Sequence, residues 1–186
     1  MGQSINIAML SPDASTHQEK VEYLTNLVND VYEASSGDLW IDKRDRTTVK
    51  DMQQFIQNGE IAVATYMEKI VGCVRIYKIN EKIAEFGMLA VHPESQGQGV
   101  GRKLIRFAEE KCRAEHFQTM QLKLFLPIHG THPQKEILND WYTRLGYQPV
   151  GVEAIDPQPK NLAIPCQFII FQKALTSYSE HVAYSV

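Results

Sequence analysis

Between residues 91 and 102 the chain reads Val-His-Pro-Glu-Ser-Gln-Gly-Gln-Gly-Val-Gly-Arg, with glycines at 97, 99 and 101. Ala84 to Val91, just before it, is a mostly apolar run of strand length. Just after it, Leu104, Ile105, Ala108 and Cys112 recur at helical spacing. A strand therefore feeds an amphipathic helix through a glycine-rich turn, a unit that belongs to layered α/β folds. Alternate glycines let the backbone turn sharply and approach a ligand closely. The first N–H groups of the helix lack intrahelical partners, and the positive end of its dipole favours an anion. A phosphate or pyrophosphate is the ligand this segment predicts.

The rest of the chain supports a mixed α/β layered domain. Ile5 to Leu10 reads as a first strand. A helix follows Ser15 and Thr16, with Val21, Leu24, Val28 and Val31 on one face, and it breaks at Ser35-Ser36-Gly37-Asp38. Thr48-x-x-Asp51 resembles a capping box and opens a short helix carrying Met52, Phe55 and Ile56. Ile61 to Tyr66 and Ile70 to Tyr77 form a hairpin through Met67-Glu68-Lys69, and Ala84 to Val91 is the next strand. Beyond the glycine loop and its helix, Met120 to Leu126 is a strand. Ile137, Leu138, Trp141, Tyr142 and Leu145 line one side of a further helix. Pro133 suits the first turn of that helix and Gly146 the position past its end. Two last strands fall near Gln148 to Ile155 and Gln167 to Lys173.

Two common phosphate motifs fail at the loop. A dinucleotide fingerprint needs glycine where Arg102 stands. A Walker A loop needs Gly-Lys and then Ser or Thr, whereas Gly101 precedes Arg102-Lys103-Leu104. Gln96-x-x-Gly99-x-Gly101, with its Val91-x-Pro93 lead-in, instead resembles the coenzyme A pyrophosphate loop of the GNAT acetyltransferase superfamily. Leu138 to Tyr147 is similar to that family's later helix, with Tyr142, Gly146 and Tyr147 in its Tyr-x-x-x-Gly-aromatic signature. The resemblance is clear from Ile61 to Gly151 and weaker before it.

This resemblance implies a GNAT-type α/β fold, with a mixed central sheet of about six to seven strands flanked by about four helices. The fourth and fifth strands, Ala84 to Val91 and Met120 to Leu126, should splay and admit the pantetheine arm. It implies acetyl-CoA as acetyl donor, transferred directly to an amine in a ternary complex. The expected contacts to it are Leu89, Ala90 and Val91 of the fourth strand, with Gln96, Gly97, Gln98, Gly99, Val100, Gly101 and Arg102 of the loop. A backbone N–H at Leu89 or Ala90 would polarise the thioester carbonyl.

An amine must lose its proton to attack, so a general base helps, directly or through water. Glu85 is the candidate, at the spacing before Gln96 where some family members carry their base. Tyr142 matches the tyrosine that hydrogen-bonds or protonates the leaving thiolate. Lys123, His129 and His132 lie where they would border the cleft, and each reads as a surface residue; Asn139, one turn before Tyr142 and later in its helix than the family's CoA-contacting asparagine, reads as a solvated side chain. Cys73 and Cys112 read as core packing; Cys166 lies on the expected acceptor side.

The formal charge is −3, from 19 basic and 22 acidic residues with no basic stripe, which argues against a nucleic-acid partner. No apolar run approaches a membrane span, and Met1 to Leu10 lacks the form of a secretory leader. Three widely spaced cysteines make neither a disulfide framework nor a zinc pattern. The expectation is a cytoplasmic protein with no metal, one domain over residues 1–175 and a tail over 176–186; a homodimer is left open. The acceptor surface should include Glu33, Asp38, Trp40, Asp42, Arg44, Asp45 and Arg46. A small-molecule amine is the favoured acceptor. The alternatives are a protein lysine or N-terminus, and a non-catalytic CoA-binding regulatory module.

Overall fold

The computed structural model describes residues 4–43 and 45–175. Residues 1–3, Arg44 and the tail 176–186 lie outside the described residues. The elements are β1 (Asn6–Met9), α1 (Gln18–Ser36), α2 (Val49–Gln57), β2 (Ile61–Tyr66), β3 (Lys69–Lys78), β4 (Ile83–Val91), α3 (Val100–Ala114), β5 (Thr119–Pro127), α4 (Pro133–Arg144), β6 (Gln148–Ala154) and β7 (Cys166–Ala174). Single 3-10 turns precede α1, follow it at Gly37–Leu39, and follow β4 at Pro93–Ser95.

Local chemistry accounts for several boundaries. Thr48 and Asp51 satisfy each other's backbone N–H at the start of α2, at 3.1 and 3.2 Å, as a capping box does. The β2–β3 hairpin turns on Met67 and Glu68, both at positive φ (48° and 65°), the geometry that matches strand twist in a two-residue loop. Pro133 opens α4, and Gly146 stands just past its end at φ 92°.

The seven strands form one sheet in the order β1-β2-β3-β4-β5-β7-β6. Only β4 and β5 run parallel. They pair at Ile83–Thr119, Ala84–Met120 and Glu85–Gln121 and then part, while β5 stays paired with β7 as far as Pro127. The fourth and fifth strands thus splay, and a cleft opens between them.

Helices cover both faces. On one, α3 packs Leu104, Ile105, Ala108 and Cys112 against Ala84, Phe86, Met120, Leu122 and Phe171. On the other, Val21, Leu24 and Val28 of α1 and Met52 and Ile56 of α2 cover Ile61, Val63, Cys73, Met88 and Ala90. Simple alternation would put residues 84, 86, 88 and 90 on one face. They divide because Met88 sits at φ 50° where the β3 register skips between Cys73 and Arg75. One inserted residue reverses every side chain that follows. Leu89 and Val91 consequently pack toward the α3 side and the cleft.

On α4 the expected apolar face is displaced. Ile137 is 59% exposed, while Lys135 is only 4% exposed and Tyr142 only 7%. The inward stripe is Lys135, Leu138 and Tyr142, at i, i+3 and i+7. Ile137 borders the cleft instead of the core, so a hydropathy pattern that assumes one packed face misplaces it. His132, expected at the surface, is also buried, against Asp38.

Candidate active site

A cleft of about 1030 Å³ follows the gap between β4 and β5. Its floor on one side is the glycine loop. Gly97 and Gly99 hold φ of 74° and 79°, conformations that L side chains rarely adopt. Gln96 Nε2 donates to Val91 O at 3.1 Å and ties the loop back to the end of β4. The first helical bond runs from Lys103 N to Gly99 O at 3.1 Å, so the N–H groups of Val100, Gly101 and Arg102 have no intrahelical partner. A β-carbon at Gly101 would stand 3.3 Å from the Trp141 ring, so glycine there lets α3 and α4 approach. Leu89, Val91, Gln96, Gly97, Gly99, Val100, Gly101 and Arg102 all line the cleft. Gln98 turns back to bond Glu94 O at 2.9 Å, and the Ala90 side chain lies in the α1-side core.

Tyr142 lines the cleft two helical turns beyond Lys135. Burial, with Tyr32 nearby as a smaller cause, pushes its phenol well above the ordinary range. Its ring packs 5.1 Å from that of Trp141 and 6.1 Å from that of Phe86. Tyr147, five residues on, has a different duty. It is fully buried and donates to Glu109 Oε1 at 2.8 Å, and Lys173 neutralises the same carboxylate at 2.9 Å.

Glu85 is 5% exposed and stands at the fork where β4 leaves β5. Its side chain is on the face opposite Ala84 and Phe86 and outside the cleft lining. It accepts hydrogen bonds from the Tyr77 hydroxyl and from Gln121 Nε2, the latter at 2.6 Å; Gln172 Nε2 in turn holds Gln121 Oε1 at 2.7 Å. Burial, and next the bond to Glu85, raise the Tyr77 phenol far above its usual value. Glu85 and Tyr142 are therefore not brought side by side; Tyr142 packs with Phe86 and Phe171, on the face of the sheet opposite Glu85.

The far half of the cleft faces α1 and the segment after it. Glu33, Trp40, Asp45 and Arg46 line it. Asn29 positions that segment, its Oδ1 accepting from Arg46 N at 2.8 Å and Thr47 N at 3.0 Å. Trp40 stacks on Phe125 at 5.5 Å between centroids and 7° between planes, and Phe125 contacts Phe168 at 5.4 Å. Lys123 also lines the cleft, paired with Glu153 at 2.6 Å. Asp38, Asp42, His129 and Asn139 do not line it. Burial pushes the thiols of Cys73 and Cys112 up to about 12 and about 11, as inert packing requires.

Sequence reasoning missed Tyr32, Lys135, Phe125 and Phe168, all of which line the cleft. Signals for three of them were present. Tyr32 continues the α1 stripe one turn past Val28, Lys135 precedes Tyr142 by two turns, and Phe125 shares a strand face with Gln121 and Lys123. The Tyr32 phenol is raised by burial, against the opposing effect of Arg46, whose Cζ lies 5.4 Å from the ring centroid. Among the described residues no cluster of His, Cys, Asp or Glu is arranged to hold a metal ion, and no helix is long and apolar enough to cross a membrane.

Known proteins match this arrangement. The acetyltransferase (GNAT) domain model matches residues 57–149, half of the chain. An aminoglycoside 6'-N-acetyltransferase complexed with coenzyme A superposes with a TM-score of 0.66 at 15% identity, covering 92% of this chain and 98% of that one. Ard1 from Thermoplasma volcanium gives 0.67 at 13% identity, over 93% and 99% of the two chains. The PaiA N-acetyltransferase from Thermoplasma acidophilum, in complex with coenzyme A, gives 0.67 at 17% identity, over 92% and 99%. At these identities the superpositions establish the fold, and the domain match establishes the family. The chain belongs to the GNAT family of acetyltransferases.

Proposed function

We propose that this protein transfers the acetyl group of acetyl-CoA to the amine of a small molecule, by direct attack within a ternary complex. The observation that carries the reading is one continuous cleft, from the unpaired N–H groups opening α3, past Tyr142, to the Trp40–Phe125 wall. Donor and acceptor sites share a single cavity, as direct transfer needs. The loop suits a pyrophosphate, since Gly97 and Gly99 turn the backbone, the N–H groups of Val100, Gly101 and Arg102 point along a helix N-terminus, and Arg102 adds charge. Acetyl-CoA held there supplies an activated acetyl thioester. The edge of β4 at Leu89 and Ala90 has no β5 partner, which leaves a backbone N–H for the acyl oxygen.

Glu85 is assigned to accept the amine proton. Its place outside the cleft lining favours a water between carboxylate and amine over direct contact. Tyr142 is assigned to the departing sulfur. Its burial keeps the phenol protonated, the form a donor must have, and the hydroxyl has no hydrogen-bond partner among the described residues.

The choice of a small acceptor rests on the two loops that border the far half of the cleft. Ile41 N donates to Asn161 O at 2.8 Å and Ala163 N to Leu39 O at 2.9 Å, and Trp40 bridges to Leu162. These bonds tie the two loops to each other, which favours a closed acceptor site over an open groove for an extended polypeptide. Fold alone does not choose, because the similar structures include an aminoglycoside acetyltransferase and a ribosomal-protein-alanine acetyltransferase. Mass spectrometry of acetyl-CoA turnover with mixed small amines and with peptides is the test. Acetylated small amines are the expected product. Acetylated peptides alone would overturn the acceptor assignment, and CoA binding without any transfer would overturn the catalytic one.

A further inference from the structure

We infer that Lys135, together with Ser36, takes a carboxylate carried by the amine that this protein acetylates. The inference rests on the small-amine reading and narrows its substrate class. Lys135 is 4% exposed, yet it lines the cleft. Its Nζ donates to Ser36 Oγ. Among the described residues it has no ion pair within 4.0 Å. Asp38 is the acid whose field reaches it most, and that carboxylate bonds His132 Nε2 at 2.9 Å instead. An ammonium has three donors and no acceptor, so a single hydroxyl leaves most of its capacity unused. Burying a cation without a counter-ion is costly.

Burial lowers the Lys135 amine to about 8, the mark of a charge lacking its partner. Among the described residues, the titratable groups whose charge acts on it are Asp38 from the 3-10 turn and Cys166 from β7, with His132 just before α4 bonded to Asp38; Glu33, Asp45 and Arg46 line the same cleft without an ion pair to it. None supplies a fixed negative charge in contact. A residue that only packed α4 against α1 would be apolar, as Leu138 in the same stripe is. A carboxylate entering the cleft completes the site by accepting from the free Nζ donors. The other anion expected in this cavity is the pyrophosphate, for which the α3 N-terminus and Arg102 are already placed. In the same cleft the Trp40, Phe125 and Phe168 rings offer an apolar wall. The acceptor class is therefore an amino-acid-like molecule, with an amine to acetylate, a carboxylate for Lys135 and an apolar group for the rings.

The test measures kcat and KM for a panel of amino acids, each alongside its methyl ester and its decarboxylated amine. Wild type, Lys135→Met and Lys135→Arg are compared, with CoA affinity followed by calorimetry. Wild type should favour the carboxylated member by about tenfold or more in kcat/KM, the worth of a charged hydrogen bond. Lys135→Met should erase that preference through KM, with kcat and CoA affinity held, and Lys135→Arg should restore part of it. Turnover of the amines with no carboxylate preference overturns this inference and leaves the small-amine reading standing. Loss of CoA affinity in Lys135→Met overturns it by assigning the cation to the donor. Turnover of peptides but of no small amine overturns both.

Discussion

Glu85 and Gln121 form the last pair at which β4 and β5 touch, and Gln121 Nε2 donates to Glu85 Oε2 at 2.6 Å across that pair. Below it the strands are joined by a parallel ladder; above it they separate and the cleft begins. The hydrogen bond therefore fixes a buried carboxylate at the apex of the fork. Tyr77 from β3 holds its other oxygen, and Gln172 from β7 fixes the Gln121 amide.

Glu85→Gln keeps the shape of the fork, its oxygen accepting from Gln121 and its amide donating to the Tyr77 oxygen, but removes the proposed base. It should lower kcat by about 10²-fold or more, the usual span of general base catalysis starting there. CoA affinity should be little changed, and the acidic limb of the pH–rate profile should disappear. Rates equal to wild type across the profile would leave Glu85 as a structural clamp between three strands.

Gly101→Val brings branched carbons against Trp141, where even a β-carbon would stand at 3.3 Å. It also covers the N–H cradle at the start of α3. CoA affinity by calorimetry should fall at least about tenfold, the loss of one or two charged hydrogen bonds. Gly99→Ala is the companion variant, because space around Gly99 is open and only its φ of 79° is strained. Both variants binding CoA as wild type does would remove the loop from the donor site.

Tyr142→Phe retains the ring that packs on Trp141, Phe86 and Tyr147. Folding should survive. With saturating acetyl-CoA the single-turnover rate should fall by about 10²-fold, the low end for acid assistance, because a thiolate is already a good leaving group. A variant as fast as the parent would make Tyr142 a packing residue.

Lys135 also predicts a pH effect on stability. Its folded-state pKa of about 8 lies below the ordinary 10.5. Between those values the unfolded chain binds a proton that the folded chain has released, so the contribution of this group to stability rises with pH. Below about 8 both states are protonated, and the full cost of the buried charge remains. Lys135→Met should therefore unfold at higher urea than wild type at neutral pH, with the gap shrinking as pH rises toward 10.5. Urea melts of the pair at neutral and alkaline pH check it, and a gap independent of pH would show that Lys135 is not a buried cation.

The features legible in the sequence are those set by neighbouring residues. Gly97 and Gly99 announce a backbone that must adopt positive φ, Thr48 and Asp51 cap a helix from within four positions, and Gly146 ends one. The order of strands and helices follows from hydropathy periods; the splayed fourth and fifth strands and the place of Tyr142 are legible only through the resemblance carried by the glycine loop and the Tyr-x-x-x-Gly-aromatic signature. Tertiary structure alone decided the rest. The bulge at Met88, which re-aims Leu89 and Val91, exists only against the β3 register. Tyr77 and Gln121 reach Glu85 from separate strands, and Ser36 reaches Lys135 from 99 positions away. A helical stripe read by hydropathy placed Ile137 inside and passed over Lys135, because α4 borders a cavity as well as a core. Turn and cap geometry is a local demand on consecutive residues; which side chains share a cavity depends on elements that meet only once the sheet has formed.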